Sequence, residues 1–329
     1  MHSTQLGTLT TSAIGLGCMA MSGAYGDSDR GESIATVREA LDAGITLFDT
    51  GDFYGMGHNE LLLAEALRDV PRENYQLSVK FGAQIGPDGS WLGFDARPDS
   101  VKTALAYSLQ RLGTDYIDVY RPARLDPDVP IEETVGAVGE LVDSGHVRHV
   151  GLSEVGADTI RRAQATIQIN DLQIEYSLAS RSVEADILGT CREFGIGVTA
   201  YGVLARGLIS GHWTAKSGRG QGDSRSLSPR FGGDNLHRNL TLVEGLRGVA
   251  EELGITVAQA AIAWVASRGD DIVPVVGART RTRLRESLGA ADVVLSEDQL
   301  DRIEAALPGE GVAGDRYPAA HMAVLDSER

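Results

Sequence analysis

The sequence has few of the residues that mark several specialised classes of protein. It contains only two cysteines, Cys18 and Cys191, in 329 residues. Two distant cysteines provide neither a disulfide framework nor a cysteine-based metal site, which is typical of proteins in the reducing cytosol. No two histidines have the spacing of metal ligands, so no metal site is predicted.

Positive charge and long apolar runs are also scarce. There are 30 lysines and arginines against 46 aspartates and glutamates, a formal net charge of −16. So acidic a protein repels nucleic acids and anionic membranes, and we expect neither as a partner. No apolar run approaches the ~18 residues that span a bilayer, and Met1–Gly7 does not resemble a signal peptide. We therefore expect a cytoplasmic protein whose partner is a small molecule.

The chain does contain a regular alternation of strand-like and helix-like segments. Eight such units can be counted, and strict alternation predicts parallel strands that close into a barrel. The expected fold class is therefore α/β, a (β/α)8 TIM barrel forming a single domain over residues 1–329, with an N-terminal hairpin at Gln5–Thr10 and extra helices. The predicted barrel strands are Ser12–Gly17, Ile45–Phe48, Gln76–Phe81, Tyr116–Tyr120, Val147–Ser153, Leu172–Tyr176, Val198–Tyr201 and Ile272–Val276.

Three stretches do not follow the alternation. Gly82–Pro98 is predicted to be a glycine-rich loop. Val203–Leu236 is rich in glycine, serine and arginine, and loops of that length are usually mobile lids or disordered. A helix is predicted after it, at Leu240–Leu253, and the tail from Pro308 shows no periodicity.

Asp49, Tyr54 and Lys80 are the residues that most suggest chemistry. Asp49 follows one predicted strand, Tyr54 lies in the loop after it, and Lys80 is near the end of the next strand. In a parallel barrel these strand ends meet at the mouth, which is the face that carries catalytic residues. An ammonium near a phenol lowers the phenol pKa, so Tyr54 could give a proton to a carbonyl oxygen. Hydride has to come from a nicotinamide cofactor. Taken alone, Asp49 could instead be a helix cap.

The order and spacing of several motifs resemble the aldo-keto reductase family, over nearly the whole chain. The resemblance implies a TIM barrel, NADPH as cofactor, and the reduction of aldehydes or ketones to alcohols. It also implies that Tyr54 is the proton donor, with Asp49 and Lys80 as its activators. The motifs that carry it, besides these three residues, are Gly15–Gly17, Gly57–Glu60, Arg111–Asp118, Gly151–Glu154, Gln173–Ser177, Tyr201–Leu208 and Val276–Arg279.

One position departs from the family pattern. In the register of the strand that ends at Tyr120, Ala123 stands where the family has a histidine that orients the substrate carbonyl. Either Arg121 or Arg124 reaches the site, or Tyr54 works alone, and we take Arg124 as the candidate catalytic residue. We predict that Phe53, Trp91 and Arg121 line the substrate pocket.

The missing histidine has two further consequences. The resemblance extends to a subgroup similar to pyridoxal reductases, which makes a pyridoxal-like aldehyde a candidate substrate. It also leaves open an NADPH-binding regulatory or redox-sensing subunit with little turnover, as in family members that associate with ion channels.

The resemblance also implies a set of cofactor contacts. Ser153 and Gln173 resemble the residues that hold the nicotinamide amide, and Tyr201 resembles the aromatic that stacks on the ring, although it could be ordinary core. The full predicted set is Gly17, Met19, Asp49, Ser153, Gln173, Tyr201, Gly202, Leu204, Arg206, Gly207, Gly277, Ala278, Arg279, Arg283 and Ser287.

Four arginines follow the last predicted strand: Arg279, Arg281, Arg283 and Arg285. Residues four apart share one face of a helix, so Arg279 and Arg283 are predicted to act together. They lie near a helix N-terminus, where phosphate is favoured, and guanidinium groups match the 2′-phosphate of NADPH. The alternative is that the cluster is a solvated helix face.

Overall fold

Eight parallel strands close into a barrel, as the alternation in the sequence predicts. The structure is a computed structural model that describes residues 1–214, 217 and 222–328. Around the barrel the strands follow chain order, and the last pairs with the first. Observed and predicted barrel strands differ by at most three residues at either end. The strands are β1 (Ser3–Leu6), β2 (Leu9–Ser12), β3 (Gly15–Gly17), β4 (Leu47–Gly51), β5 (Gln76–Phe81), β6 (Ala83–Ile85), β7 (Trp91–Phe94), β8 (Ile117–Pro122), β9 (Val147–Ser153), β10 (Ile169–Glu175), β11 (Gly197–Tyr201) and β12 (Ile272–Gly277). The barrel consists of β3, β4, β5 and β8–β12.

The predicted N-terminal hairpin is present and lies at the end of the barrel where the strands begin. β1 and β2 pair antiparallel, and Leu6 forms a small buried cluster with Leu47 and Val273. A side chain on Gly197, the first residue of β11, would clash with the hairpin backbone, since an added Cβ would lie 2.5 Å from the Gly7 nitrogen. The hairpin therefore closes this end, and the opposite end, where the strands finish, remains for a site.

Helices cover the outer face of the barrel. The strands of such a barrel are covered by helices on the outer face and by side chains of the barrel interior on the inner face. Accordingly, β10 is buried along its whole length. Helix α8 is apolar on almost every side and accordingly lies in the core, with Trp264 fully buried. The helices are α1 (Arg30–Asp42), α2 (His58–Ala66), α3 (Pro98–Leu112), α4 (Ile131–Asp143), α5 (Ala157–Thr166), α6 (Ile187–Glu193), α7 (Gly233–Glu252), α8 (Val257–Ala266), α9 (Arg281–Leu288), α10 (Glu297–Ala306) and α11 (Ala319–Met322).

No single helix among the residues described has both the length and the apolar character to cross a membrane. Only α7 and α8 taken together reach that length and composition, and their axes meet at 85°.

The irregular stretches are more ordered than the sequence predicts. Gly82–Pro98 is not simply a loop, because β6 and β7 pair within it as an antiparallel hairpin. Helix α7 begins at Gly233 rather than Leu240, and within 203–232 the described residues form short 3₁₀ turns. Part of that predicted loop, 215–216 and 218–221, lies outside the described residues. The tail after Pro308 forms short helical turns that return to the barrel mouth.

Candidate active site

Asp49 and Lys80 form a buried ion pair on neighbouring strands. In the parallel register of β4 and β5, Asp49 is opposite Ser78, and Lys80 is two residues further on. The Lys80 Nζ lies 2.5 Å from one carboxylate oxygen of Asp49. The other oxygen accepts hydrogen bonds from Ser78 Oγ at 2.8 Å and from Gln173 Nε2 at 2.7 Å. Asp49 thus lies inside its strand rather than after it and binds side chains of the barrel, so it is not a helix cap.

The environment of this pair lowers the pKa values of both partners. Burial acts to raise the pKa of Asp49, but the positive charges of Lys80 and Arg121 outweigh it, and the pKa lies below its usual value. Burial lowers the pKa of Lys80, and Asp49 opposes that shift only in part. The ion-pair geometry with Asp49 places the Lys80 ammonium at the barrel mouth.

Tyr54 lies beside this ammonium, in the loop after β4. Its ring packs edge-on against Phe53 at a centroid distance of 4.8 Å, and Lys80 Nζ is 5.0 Å from the ring centroid. Among the described residues, the Tyr54 hydroxyl makes no hydrogen bond to protein, so it remains available to a ligand. The three predicted residues do converge. The predicted pKa shift, however, has the wrong sign: burial, followed by the negative charge of Asp49, raises the pKa of Tyr54 well above its ordinary value. Tyr54 is a protonated phenol at neutral pH.

Arg121 does not line the substrate pocket, contrary to the prediction. It is fully buried inside the barrel, where its guanidinium lies 3.0 Å from a carboxylate oxygen of Asp171. It also donates to Thr199 Oγ1 and to Ser78 Oγ. Because Arg121 is a residue of β8, alternation along the strand directs it inward. From below the cleft, the positive charge of Arg121 lowers the pKa of Asp49.

The remaining predicted residues, apart from Ser153, line one cleft of about 660 Å³ at the barrel mouth. Ser153 ends β9 and is buried next to Gln173 of β10, and its hydroxyl has no hydrogen-bond partner among the described residues. Tyr201 faces the cleft, so the core interpretation is wrong. The lining residues that the sequence predicts are Gly17, Met19, Asp49, Phe53, Tyr54, Lys80, Trp91, Arg124, Gln173, Tyr201, Gly202, Leu204, Arg206, Gly207, Gly277, Ala278, Arg279, Arg283 and Ser287.

Comparison with known proteins identifies the family. Residues 13–308 match the family model of the aldo/keto reductase family.

The chain belongs to the aldo-keto reductase family.

Two similar proteins come from Glycine max and Schizosaccharomyces pombe. A probable aldo-keto reductase of Glycine max is 42% identical over 318 residues, 95% of this chain and 91% of that protein. The NADP(+) aldo-keto reductase yakc of Schizosaccharomyces pombe is 36% identical over the same length, 95% of this chain and 94% of its own.

Solved structures are similar over the same extent. A glycerol dehydrogenase from Gluconobacter oxydans has a TM-score of 0.84 at 26% identity, over 93% of this chain and 96% of that one. An aldo-keto reductase from Klebsiella pneumoniae, solved with NADPH, has a TM-score of 0.72 at 28% identity, over 94% of this chain and 96% of that one.

In this aldo-keto reductase, Arg124 occupies the region beside Ala123. Ala123, the residue predicted to stand in place of the family histidine, is buried. Arg124 donates to the Tyr317 hydroxyl at 3.1 Å and lies 3.5 Å from the Tyr201 hydroxyl. Its Nη1 donates to the carbonyl oxygen of Ala123 at 2.6 Å. Of the two arginines considered from the sequence, Arg124 is therefore the one that reaches the cleft.

Tyr317 belongs to the tail, whose contribution sequence reasoning missed. The adjacent Arg316 bonds both carboxylate oxygens of the buried Glu154, at 2.9 and 2.5 Å, and Glu154 also accepts from the Tyr201 hydroxyl at 2.8 Å. Glu154 has φ of +55°, an uncommon backbone conformation for a residue with a side chain, and these bonds hold it there. No periodicity marks the tail, so its return to the site could not be predicted from the sequence.

The four arginines after β12 divide into two pairs. Arg281 and Arg285 face α1, where they bind Glu32 and Glu39, so the solvated-face interpretation holds for them. Arg279 and Arg283 line the cleft as predicted, but not by sharing a helix face, because α9 begins only at Arg281. Further lining residues that the sequence did not indicate include Tyr25, Arg225, Leu227, Tyr317 and His321.

Proposed function

We propose that this aldo-keto reductase reduces aldehydes or ketones to alcohols with NADPH as cofactor and Tyr54 as the proton donor. The observation that carries the proposal is the convergence of Asp49, Lys80 and Tyr54 at one wall of the cleft. The reductases from S. pombe and K. pneumoniae, which are associated with NADP(+) and NADPH, support the choice of cofactor.

The residues around the cleft fit a nicotinamide dinucleotide. The buried Ser153 hydroxyl has no hydrogen-bond partner in the described part of the chain, and a carboxamide would provide one, with Gln173 alongside. Tyr201 would contact the nicotinamide ring. Arg279 has no carboxylate within ion-pair distance among the described residues and would take the 2′-phosphate, a role that guanidinium geometry suits. When bound, NADPH supplies the hydride, which no side chain can provide.

Tyr54 provides the proton. The raised pKa of Tyr54 keeps the phenol protonated. A proton donor has to be protonated, whereas a general base has to be deprotonated. As negative charge grows on the carbonyl oxygen, the Tyr54 hydroxyl transfers its proton to that oxygen. The phenolate left behind lies beside the Lys80 ammonium, which stabilises it, and Asp49 holds that ammonium in place.

Arg124 is our candidate for the task of the absent histidine, which is to orient the substrate. A pyridoxal-like aldehyde and a regulatory subunit with little turnover both stay predictions from the resemblance. A screen of aldehydes with purified protein separates reductase from regulatory subunit, because only a reductase oxidises NADPH faster than the background rate.

The test of the proton donor is Tyr54→Phe. General acid catalysis is commonly worth about 100- to 10,000-fold, so we expect kcat to fall by at least ~100-fold, measured by NADPH oxidation. NADPH binding, followed by fluorescence titration, should change little, because the ring is retained. Tyr107→Phe, at an exposed position on α3, is the matched control and should keep full activity. Undiminished turnover in Tyr54→Phe would contradict the assignment.

A further inference from the structure

The arginines of the cleft differ in how their charge is balanced. Of the described residues, five arginines line it. Arg206, Arg225 and Arg283 each have a carboxylate within 4 Å, from Glu175, Asp223 and Glu286 respectively. Arg124 and Arg279 have none. Arg279 is accounted for by the cofactor phosphate, which leaves Arg124 as a cleft cation whose charge is not balanced by an ion pair.

All the hydrogen-bond partners of Arg124 are neutral. They are the carbonyl oxygen of Ala123 and the hydroxyls of Tyr201 and Tyr317. The nearby carboxylate of Glu154 is already bound by Arg316 through both oxygens. A partly buried guanidinium whose hydrogen-bond partners are neutral has no ion pair to compensate for its lost hydration, and a ligand carboxylate would provide one.

Arg124 lies close to the reacting groups. Burial raises the pKa of Tyr54, and the positive charge of Arg124 acts against that rise, so the two side chains are electrostatically coupled. Both line the same cleft, together with the Tyr317 hydroxyl, which lies 3.1 Å from both Arg124 Nη2 and the Tyr201 hydroxyl. A substrate whose carbonyl is at Tyr54 therefore has a cation and a phenol hydroxyl within the same pocket.

We propose that Arg124 and Tyr317 form a subsite for a carboxylate group of the substrate, so that the preferred substrates are aldehydes or ketones that also carry an acid group. The planar guanidinium matches a carboxylate, and its bond to that group is charge-assisted. In a protein of net charge −16, an acidic substrate is repelled at long range, and a local unbalanced cation is needed to hold it. The substrate's own carboxylate then does the orienting that the family histidine does elsewhere. This inference rests on the proposed function.

The first test compares 4-carboxybenzaldehyde with its methyl ester, which has the same carbonyl but no charge. Wild-type kcat/KM should favour the acid. Hydrogen bonds to charged groups contribute about 1.5–3 kcal/mol, so Arg124→Gln should lower kcat/KM for the acid by roughly 10- to 100-fold, mainly through KM. The ester should lose clearly less than the acid, and Arg124→Lys should recover part of the loss for the acid, as expected of a positive charge. Tyr317→Phe should produce a smaller loss than Arg124→Gln, and that loss should also be larger for the acid than for the ester.

The second test does not depend on turnover. Benzoate is titrated into the NADP⁺-loaded protein, with benzamide as the neutral analogue. Benzoate should bind wild-type protein at least ~10-fold more tightly than the Arg124→Gln variant, consistent with a lost charge-assisted bond, and benzamide should not discriminate. Arg162→Gln, which removes an exposed surface arginine bound to Glu132, is the matched control and should behave as wild type.

The outcomes separate the two proposals. Equal losses of kcat for acid and ester in Arg124→Gln would mean that Arg124 acts on the carbonyl itself, and would overturn the carboxylate subsite while leaving the reductase intact. Equal benzoate affinity in wild type and variant would also overturn the subsite. If benzoate binding depends on Arg124 but no carbonyl is reduced, the subsite stands and the proposed function fails.

Discussion

The partly buried carboxyl of Asp52 interacts with the fully buried Glu60, and the protonation of Asp52 should make stability depend on pH. Within the described ranges, the buried oxygens Asp52 Oδ1 and Glu60 Oε1 have no hydrogen-bond partner, and of the two carboxylates only that of Glu60 is bound to Arg111. Burial, followed by the charge of Glu60, raises the pKa of Asp52 from 3.8 to about 7, with Arg111 opposing the shift. The folded protein therefore holds a proton on Asp52 that the unfolded chain releases at much lower pH.

The direction of the effect follows from linkage. Because the folded-state pKa exceeds that of the unfolded chain, the contribution of protonated Asp52 to stability is complete below pH about 4 and is lost as the pH rises to about 7. The whole shift of about three pKa units corresponds to at most about 4 kcal/mol, at 1.36 kcal/mol per unit. Between pH 5.5 and 8, the stabilisation from protonated Asp52 is lost only up to the folded-state pKa of about 7, and the loss over that interval is about 2 kcal/mol.

The perturbation is Asp52→Asn, which keeps the shape of the side chain and removes its titration. Urea unfolding followed by circular dichroism at several values between pH 5.5 and 8 gives the free energy of unfolding of both proteins. Wild type should lose about 2 kcal/mol relative to Asp52→Asn over this range. Asp69→Asn, at an exposed position, is the control and should follow wild type. A constant difference between Asp52→Asn and wild type across this range would refute the reasoning, because the variant then removes no titrating group.

Two further predictions follow from the contacts around the cleft. Arg316→Met leaves the fully buried Glu154 without its cation and should lower the free energy of unfolding by about 3–5 kcal/mol in urea titrations. An unchanged unfolding midpoint would contradict this prediction. Adding Glu154→Gln should recover part of the loss, because no unpaired charge then remains. Arg279→Gln should weaken NADPH binding by roughly 10- to 100-fold, as expected for a lost bond to a charged group, with little effect on NADH. Arg285→Gln, whose partner is Glu39, is its control, and equal losses for both cofactors would exclude the phosphate contact.

The sequence by itself determined the barrel and most of the cleft lining. Eight alternating units dictate parallel strands, and parallel strands bring their final residues to one end. Asp49 and Lys80 were therefore predictable neighbours, since they lie on consecutive strands in register. The predicted cofactor contacts on the loops after β11 and β12 came from the resemblance to the aldo-keto reductases, and those residues line the same cleft.

Only the tertiary structure decided the electrostatics and the roles of the two arginines. The shift in the Tyr54 pKa depends on how deeply the ring is buried and how far it lies from Asp49, and neither quantity is local in sequence. Arg121 and Arg124 are three residues apart, yet one points into the barrel because it belongs to β8, and the other reaches the cleft because the strand has ended. The position of the tail at the cleft could not be predicted from the sequence for a similar reason. Arg316 and Tyr317 are held in place by contacts with residues more than a hundred positions away, and no periodicity in the sequence indicates such contacts.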